Sequence, residues 1–288
     1  MGGDDRVTGS WKRILAGCML ASTAAGPLVV PLAAQTPASA EHKTFFVEHD
    51  IGIFAATAAL SAGLSIFDPR IARSFQDTSY LHVREGRKFD HVFTHINETT
   101  LTVGGLLVYG VGKLFHSEAV SDVAFHTAES VAAASLTAQV IRGPLGRTRP
   151  LDTKPPYDDQ YDFHFGKGFT SFHNRAFPSI HSSSGFAAAS AIVAEVHRRD
   201  PGATWYVGVP AYLLALTPGL SRMYLGEHWA SDIFSGAVLG TFYGWRIVDY
   251  SHAHPTTRID HVFLGKVKQV QVGIGSNGAM VFGWGTRF

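Results

Sequence analysis

An all-α fold, a helical bundle of about six core helices with a short C-terminal β-hairpin, is what this 288-residue sequence predicts. Three observations predict it. Apolar segments rich in Ala, Gly and Leu alternate with polar connections, no stretch after residue 45 has linker composition, and strand-like alternation is confined to the last segment.

The first 40 residues differ from the rest. Arg6, Lys12 and Arg13 precede the apolar run ILAGCMLASTAAGPLVVPLAA, and Ala38-Ser39-Ala40 has the small-x-small form of a signal-peptidase site. Residues 1–40 therefore read as a signal peptide cleaved after Ala40, or alternatively after Ala34. Leu15-Ala16-Gly17-Cys18 resembles a lipoprotein box, yet Ile14 alone separates it from the charge of Arg13. Pro27 and Pro31 disfavour a retained anchor helix. Cys18 is the single cysteine and lies inside this segment, so no disulfide framework is expected. Removing the segment brings the formal +1 to zero, and a neutral chain is a poor nucleic-acid binder.

Residues 41–250 form the expected helical domain, with the motif-bearing core over 122–250. The helices are expected at Ile51 to Ile66, Thr100 to Phe115, Val123 to Ile141, Ser182 to Arg198, Thr204 to Leu216 and His228 to Val248. Pro218-Gly219 should separate the last two. His126 and Glu129 argue that the third lies inside the bundle. The connection from Leu151 to Phe177, rich in aromatics, Asp and Gly, separates two motif blocks and should lie over the site. Its Asp158-Asp159 pair reads as a solvated turn. Residues 251–288 read as a hairpin extension, because Ser276-Asn277-Gly278 joins KVKQVQVGIG to AMVFGWGTRF. The uncharged runs are short for a bilayer span, which wants roughly 20 residues. An exported cell-envelope or periplasmic location follows, with membrane association left open.

Three blocks carry the chemistry: Arg142, Arg149 and Pro150; Pro178, Ser179, Ile180 and His181; and Ser221, Arg222, His228 and Asp232. Arginine's planar fork matches tetrahedral oxyanions and stays charged at working pH. His228 and Asp232 are spaced i, i+4, so on a helix the carboxylate would hold the imidazole in one tautomer. The other histidines, His126 and His252 among them, match no metal-ligand spacing and read as surface or core polar residues.

In order and spacing these blocks resemble the type 2 phosphatidic acid phosphatase family, which shares its core with class A acid phosphatases and vanadium haloperoxidases. That family's signature is K-x6-R-P, P-S-G-H and S-R-x5-H-x3-D; here the blocks read RGPLGRTRP, PSIH and SRMYLGEHWASD. Arg142 replaces Lys and keeps the charge. Ile180 replaces Gly and keeps the backbone N–H, and the helix expected after it would let the amides of Ser179 to His181 face an anion.

The resemblance implies a metal-independent phosphatase acting through a phosphohistidine. His228 would be the nucleophile, Asp232 its orienter and His181 the acid and then base. Arg142, Arg149, Ser179, the Ile180 amide and Arg222 would hold the phosphate. It implies no cofactor and a phosphorylated lipid or small-molecule phosphate as partner. Two rival readings are a haloperoxidase binding vanadate in the same pocket, which the short chain disfavours, and a non-catalytic envelope binder of phosphorylated lipids.

Overall fold

The computed structural model describes residues 44–76, 93 and 95–255, together with the backbone of residues 270–274 and 280–284. The expected signal peptide, residues 1–40, lies outside the described residues.

Seven α-helices make up the described fold: α1 (Glu48–Ser65), α2 (Asp68–Gln76), α3 (Glu98–Leu114), α4 (Glu118–Leu145), α5 (Ile180–Arg199), α6 (Thr204–Tyr224) and α7 (Ala230–Ala253). Short polar side chains start several of them by accepting orphan amides. Asn97 accepts from Thr99 N and Thr100 N at 3.1 and 3.0 Å, Ser117 from Val120 N, and Ser179 from Ser182 N at 3.4 Å. Helix α4 ends at Gly146, whose φ of 63° suits glycine and whose amide reaches Arg142 O.

The core is α5 laid closely against α7. Along α7, Gly236, Gly240 and Gly244 recur every four residues on one face, opposite the Ser/Ala face of α5. A Cβ at Gly236 would lie 2.4 Å from Ser179 O, and one at Gly240 would lie 2.2 Å from Ser183 O. Only a hydrogen side chain permits this approach. Beside it Val131, Ala134 and Ala138 of α4 pack with Ile180, Ala187 and Ala188 of α5 and with Leu239, Phe242, Tyr243 and Ile247 of α7. This core fixes the first turn of α5 relative to the first turn of α7.

The helical class holds, with four differences from the sequence expectation. Helix α6 runs unbroken through Pro218-Gly219 to Tyr224. Pro218 is fully buried, and a Cβ on Gly219 would meet Ser182 Oγ at 2.8 Å and Ile233 Cγ2 at 2.9 Å, so packing between α5 and α7 overrides the local breaker. The last helix starts at Ala230, with Trp229 as its N-cap, and leaves His228 outside it. Helix α2 was not expected: it is short, polar and starts Asp-Pro, and it is held by Ala72 against Ala176 and Trp229. The C-terminal hairpin is not supported as a folded extension. Its turn and residues 256–269 lie outside the described residues, leaving two five-residue backbone strands, Val270–Ile274 and Met280–Trp284.

Among the described residues no single helix is long and apolar enough to cross a membrane; the bent pair α1 and α2 passes by length and composition together. Large apolar side chains are nevertheless exposed on α1, α3 and α6, among them Ile51, Leu107 and Trp205.

Candidate active site

The three motif blocks converge at the adjoining ends of α4, α5, α6 and α7. Arg142 sits in the last turn of α4, Arg149 just beyond it, His181 in the first turn of α5, Arg222 in the last turn of α6, and His228 two residues before α7. Both histidines meet with ring centroids 6.4 Å apart.

Arginine burial here is unusual for so much positive charge. Arg142 and Arg149 are 5% and 3% exposed. Burial first, then Arg149 and Arg175, bring the Arg142 pKa down to about 10. Burial likewise lowers Arg149, with Glu227 opposing and Arg222 adding to the effect. Glu227 is the local counter-charge, 2.9 Å from Arg222 and 3.4 Å from Arg149. The Nε atoms of Arg142, Arg149 and Arg222 are buried without a hydrogen-bond partner among the described residues. Neighbouring guanidiniums with unsatisfied donors are complementary to a multivalent oxyanion.

His181 accepts from Arg222 Nη2 through Nε2 at 2.7 Å. Burial, followed by Arg222, His228, Arg142 and Arg149, depresses its pKa to about 2, so the imidazole is neutral while the pocket holds no anion.

His228 is held by the backbone. Its Nδ1 lies 2.7 Å from Ala176 O, so Nδ1–H donates to that carbonyl and Nε2 carries the lone pair. Asp232 Oδ2 lies 3.8 Å away, an electrostatic neighbour beyond hydrogen-bond range. This corrects the helical-face expectation: because α7 begins after His228, the i, i+4 geometry does not apply, and Asp232 instead accepts from Trp229 N at 2.7 Å to cap α7. Burial lowers the His228 pKa, Asp232 pulls the other way, and Arg149 and Arg142 add to the lowering.

Ser179 and Ile180 also differ in detail from the expectation. Ser179 N donates to Asp232 O at 3.1 Å and is committed there, whereas Ile180 and His181 are the first helical residues of α5, where amides lack intrahelical acceptors. The Ile180 side chain is 4% exposed and packs with the α4 and α7 core. A β-branched residue is therefore accommodated where the family has Gly.

Arg147, Asp68, Glu227 and the Ala176 carbonyl were missed in the sequence. Arg147 donates to Asp232 Oδ1 at 2.5 Å, Ser231 Oγ at 2.8 Å and Asp68 Oδ2 at 2.8 Å. Burial works to raise the Asp232 pKa, but Arg147 and His228 outweigh it and the group stays ionised. Asp68 goes the other way, raised by burial and by Asp232 against Arg147. Arg147 stands inside RGPLGRTRP, but nothing in a charge pattern says which arginine faces the pocket.

The connection between Leu151 and Phe177 does reach the site. Phe172 stacks on the Arg149 guanidinium at 3.7 Å, and Arg149 N donates to His173 O at 3.1 Å. A groove of about 620 Å³ adjoins His181, lined by Asn97 to Thr100 and by Val103, Gly104 and Leu107 of α3.

Comparison with known proteins bears on this fold and on the arginine-lined site. Residues 124–255 match the model of the PAP2 superfamily, so the resemblance read from the motifs is shown over that segment. The chain is 29% identical over 112 residues to the lipid A 4'-phosphatase of Bacteroides thetaiotaomicron, covering 39% of this chain and 46% of that protein. It is 38% identical over 69 residues to the lipid A 1-phosphatase of Porphyromonas gingivalis, covering 24% and 15%. The chain thus matches less than half the length of these curated relatives. Among solved structures it is similar to the transmembrane PAP2 type phosphatidylglycerolphosphate phosphatase from Bacillus subtilis, with a TM-score of 0.53 at 18% identity over 74% of this chain and 100% of that one. That likeness is one of fold.

Proposed function

We propose that this chain is a hydrolase of phosphoric esters that cleaves the phosphate from a phosphorylated lipid, without a catalytic metal, through a phosphohistidine on His228. The observation that carries the reading is the convergence of Arg142, Arg149 and Arg222 on the half-buried His181 and the buried His228. The PAP2 match and the lipid A phosphatase relatives support the same substrate class. The groove beside His181, apolar at Val103 and Leu107, suits the hydrocarbon part of such a substrate.

The phosphate enters among the three guanidiniums and the α5 amides, which bind its oxygens where charge concentrates in the transition state. Its negative charge draws Arg222 from His181 Nε2 and raises the pKa of that imidazole, which then takes up a proton. His228 Nε2 attacks phosphorus, the bond from phosphorus to the ester oxygen breaks, and His181 protonates the departing oxygen. Water then attacks the phosphohistidine with His181 removing its proton, and phosphate leaves. Throughout, the Ala176 carbonyl holds the His228 tautomer, while Asp232 balances the charge that develops on the ring.

The exposed apolar faces of α1, α3 and α6, with the expected export segment, support a location in the cell envelope at a membrane surface. Rapid-quench trapping with a labelled lipid phosphate tests the chemistry: label on His228 is the expected result. Turnover with label on any other residue, or turnover that persists in His228→Ala, overturns it.

A further inference from the structure

At the far end of α5, three buried polar side chains from three helices meet around one oxygen. His126 of α4 and His252 of α7 both approach Glu195 Oε1, at 2.6 Å from His126 Nδ1 and 2.7 Å from His252 Nε2. One ligand atom from each residue lies within 4.8 Å of the other two. His126 and Glu195 are 0% exposed. Fourteen residues separate Glu195 from His181 on the same helix, about 20 Å at the helical rise of 1.5 Å per residue. The cluster plays no part in the phosphate site.

We propose that His126, Glu195 and His252 bind a divalent transition-metal cation, best matched by Zn²⁺, that ties α4, α5 and α7 together. Two imidazole nitrogens and one carboxylate oxygen form a donor set that zinc accepts, with a fourth position left for water. The inference does not depend on the proposed hydrolysis.

His126 Nε2, the ring nitrogen turned away from Glu195, is buried without a hydrogen-bond partner among the described residues and can carry the ring proton. A histidine holding one proton between a carboxylate and an unpartnered nitrogen moves that proton to Nε2 when Nδ1 turns its lone pair to a metal, so no charged form has to be buried. There is also an entry path. His252 keeps 23% of its side chain exposed at a cavity of about 490 Å³ bounded by Glu195, His197, Arg198, Arg199 and His252.

Arg199 forms an ion pair with Glu195 Oε2 at 3.3 Å, without a hydrogen bond, and is itself anchored by Asp122 at 2.9 Å. Insertion of the ion requires each imidazole nitrogen to draw back from Glu195 Oε1 by several tenths of an ångström, because ligand atoms held by zinc at about 2.0–2.1 Å stand further apart than hydrogen-bonded atoms.

The test uses the full chain without a polyhistidine tag, dialysed against Zn²⁺ and separately loaded with Co²⁺. One equivalent of zinc is expected, with the visible d–d bands of a four- or five-coordinate cobalt site. His126→Gln and His252→Gln should each weaken zinc binding by at least about tenfold. His197→Gln, a neighbour bonded to Thr204 and outside the donor set, should bind normally. Saturating zinc should raise the unfolding midpoint by roughly 5 °C or more in the parent and not in His252→Gln. Wild-type protein that holds no stoichiometric zinc and shows no cobalt bands overturns the proposal, as does binding that survives in both His126→Gln and His252→Gln.

Discussion

His228 Nδ1 lies 2.7 Å from the carbonyl oxygen of Ala176, a residue 52 positions earlier in the chain. A carbonyl only accepts, so this bond fixes the proton on Nδ1 and leaves Nε2 to react. The phosphoenzyme should therefore carry phosphorus on Nε2 of His228. Phosphorus NMR of trapped enzyme distinguishes the two ring isomers, and a phosphoryl group on Nδ1 would show that the Ala176 bond does not set the tautomer.

His181 and His228 should fail differently when removed. His228→Ala is expected to lose turnover on every substrate. His181→Ala should lose most on alkyl esters, whose leaving oxygen needs a proton, and retain a larger share on an aryl phosphate of low leaving-group pKa. Steady-state rates on a matched alkyl and aryl pair check this. Equal losses of both variants on both substrates would remove the division of roles.

Arg147 bridges Asp68 and Asp232 while contacting neither motif histidine in a hydrogen bond. Arg147→Met leaves two buried carboxylates facing one another and should cost about 3–5 kcal/mol of stability. Asp68→Asn added to Arg147→Met should recover part of that loss, because one of the opposed charges is gone. Denaturant titrations of the four-member cycle decide; strictly additive losses would contradict the coupling.

The glycine stripe gives a paired prediction. Gly240→Ala places a Cβ 2.2 Å from Ser183 O and should destabilise by about 1–3 kcal/mol while reducing activity, since α5 carries His181. Gly110→Ala on α3 meets nothing within 4 Å and should be neutral or stabilising by up to about 1 kcal/mol. Thermal midpoints of both variants settle whether the close α5–α7 approach is what the glycine serves.

Acid should destabilise the anion-free protein before its carboxylates titrate. His181 is held neutral, with a folded pKa of about 2 against an ordinary 6.5, so the unfolded chain binds the extra proton. Its contribution to stability is complete above about pH 6.5 and declines as pH falls towards the folded value. Urea midpoints at pH 7 and pH 5 should differ in the parent and differ less in His181→Asn. An unchanged difference would assign the acid sensitivity to other groups.

Residue order alone revealed the helical class, the three motif blocks and the connection that reaches the pocket. Those features rest on local periodicity and on residue types whose chemistry does not depend on their surroundings. Helix α2 and the unbroken α6 were illegible because packing decided them: a nine-residue polar segment is held by Ala72 and Asp68, and Pro218 is held between two neighbouring helices.

The same limit applies inside the site. The sequence by itself determined that three arginines, two histidines and an aspartate stand in three blocks at the spacing of the family signature they resemble. Only the tertiary structure decided that Ala176, not Asp232, hydrogen-bonds His228, that Asp232 caps α7 and pairs with Arg147, and that His126, Glu195 and His252 meet. Each of these pairings joins residues through backbone geometry or across dozens of positions. A hydrogen bond is set by direction and distance to within a few tenths of an ångström, and only the packed helices fix either one.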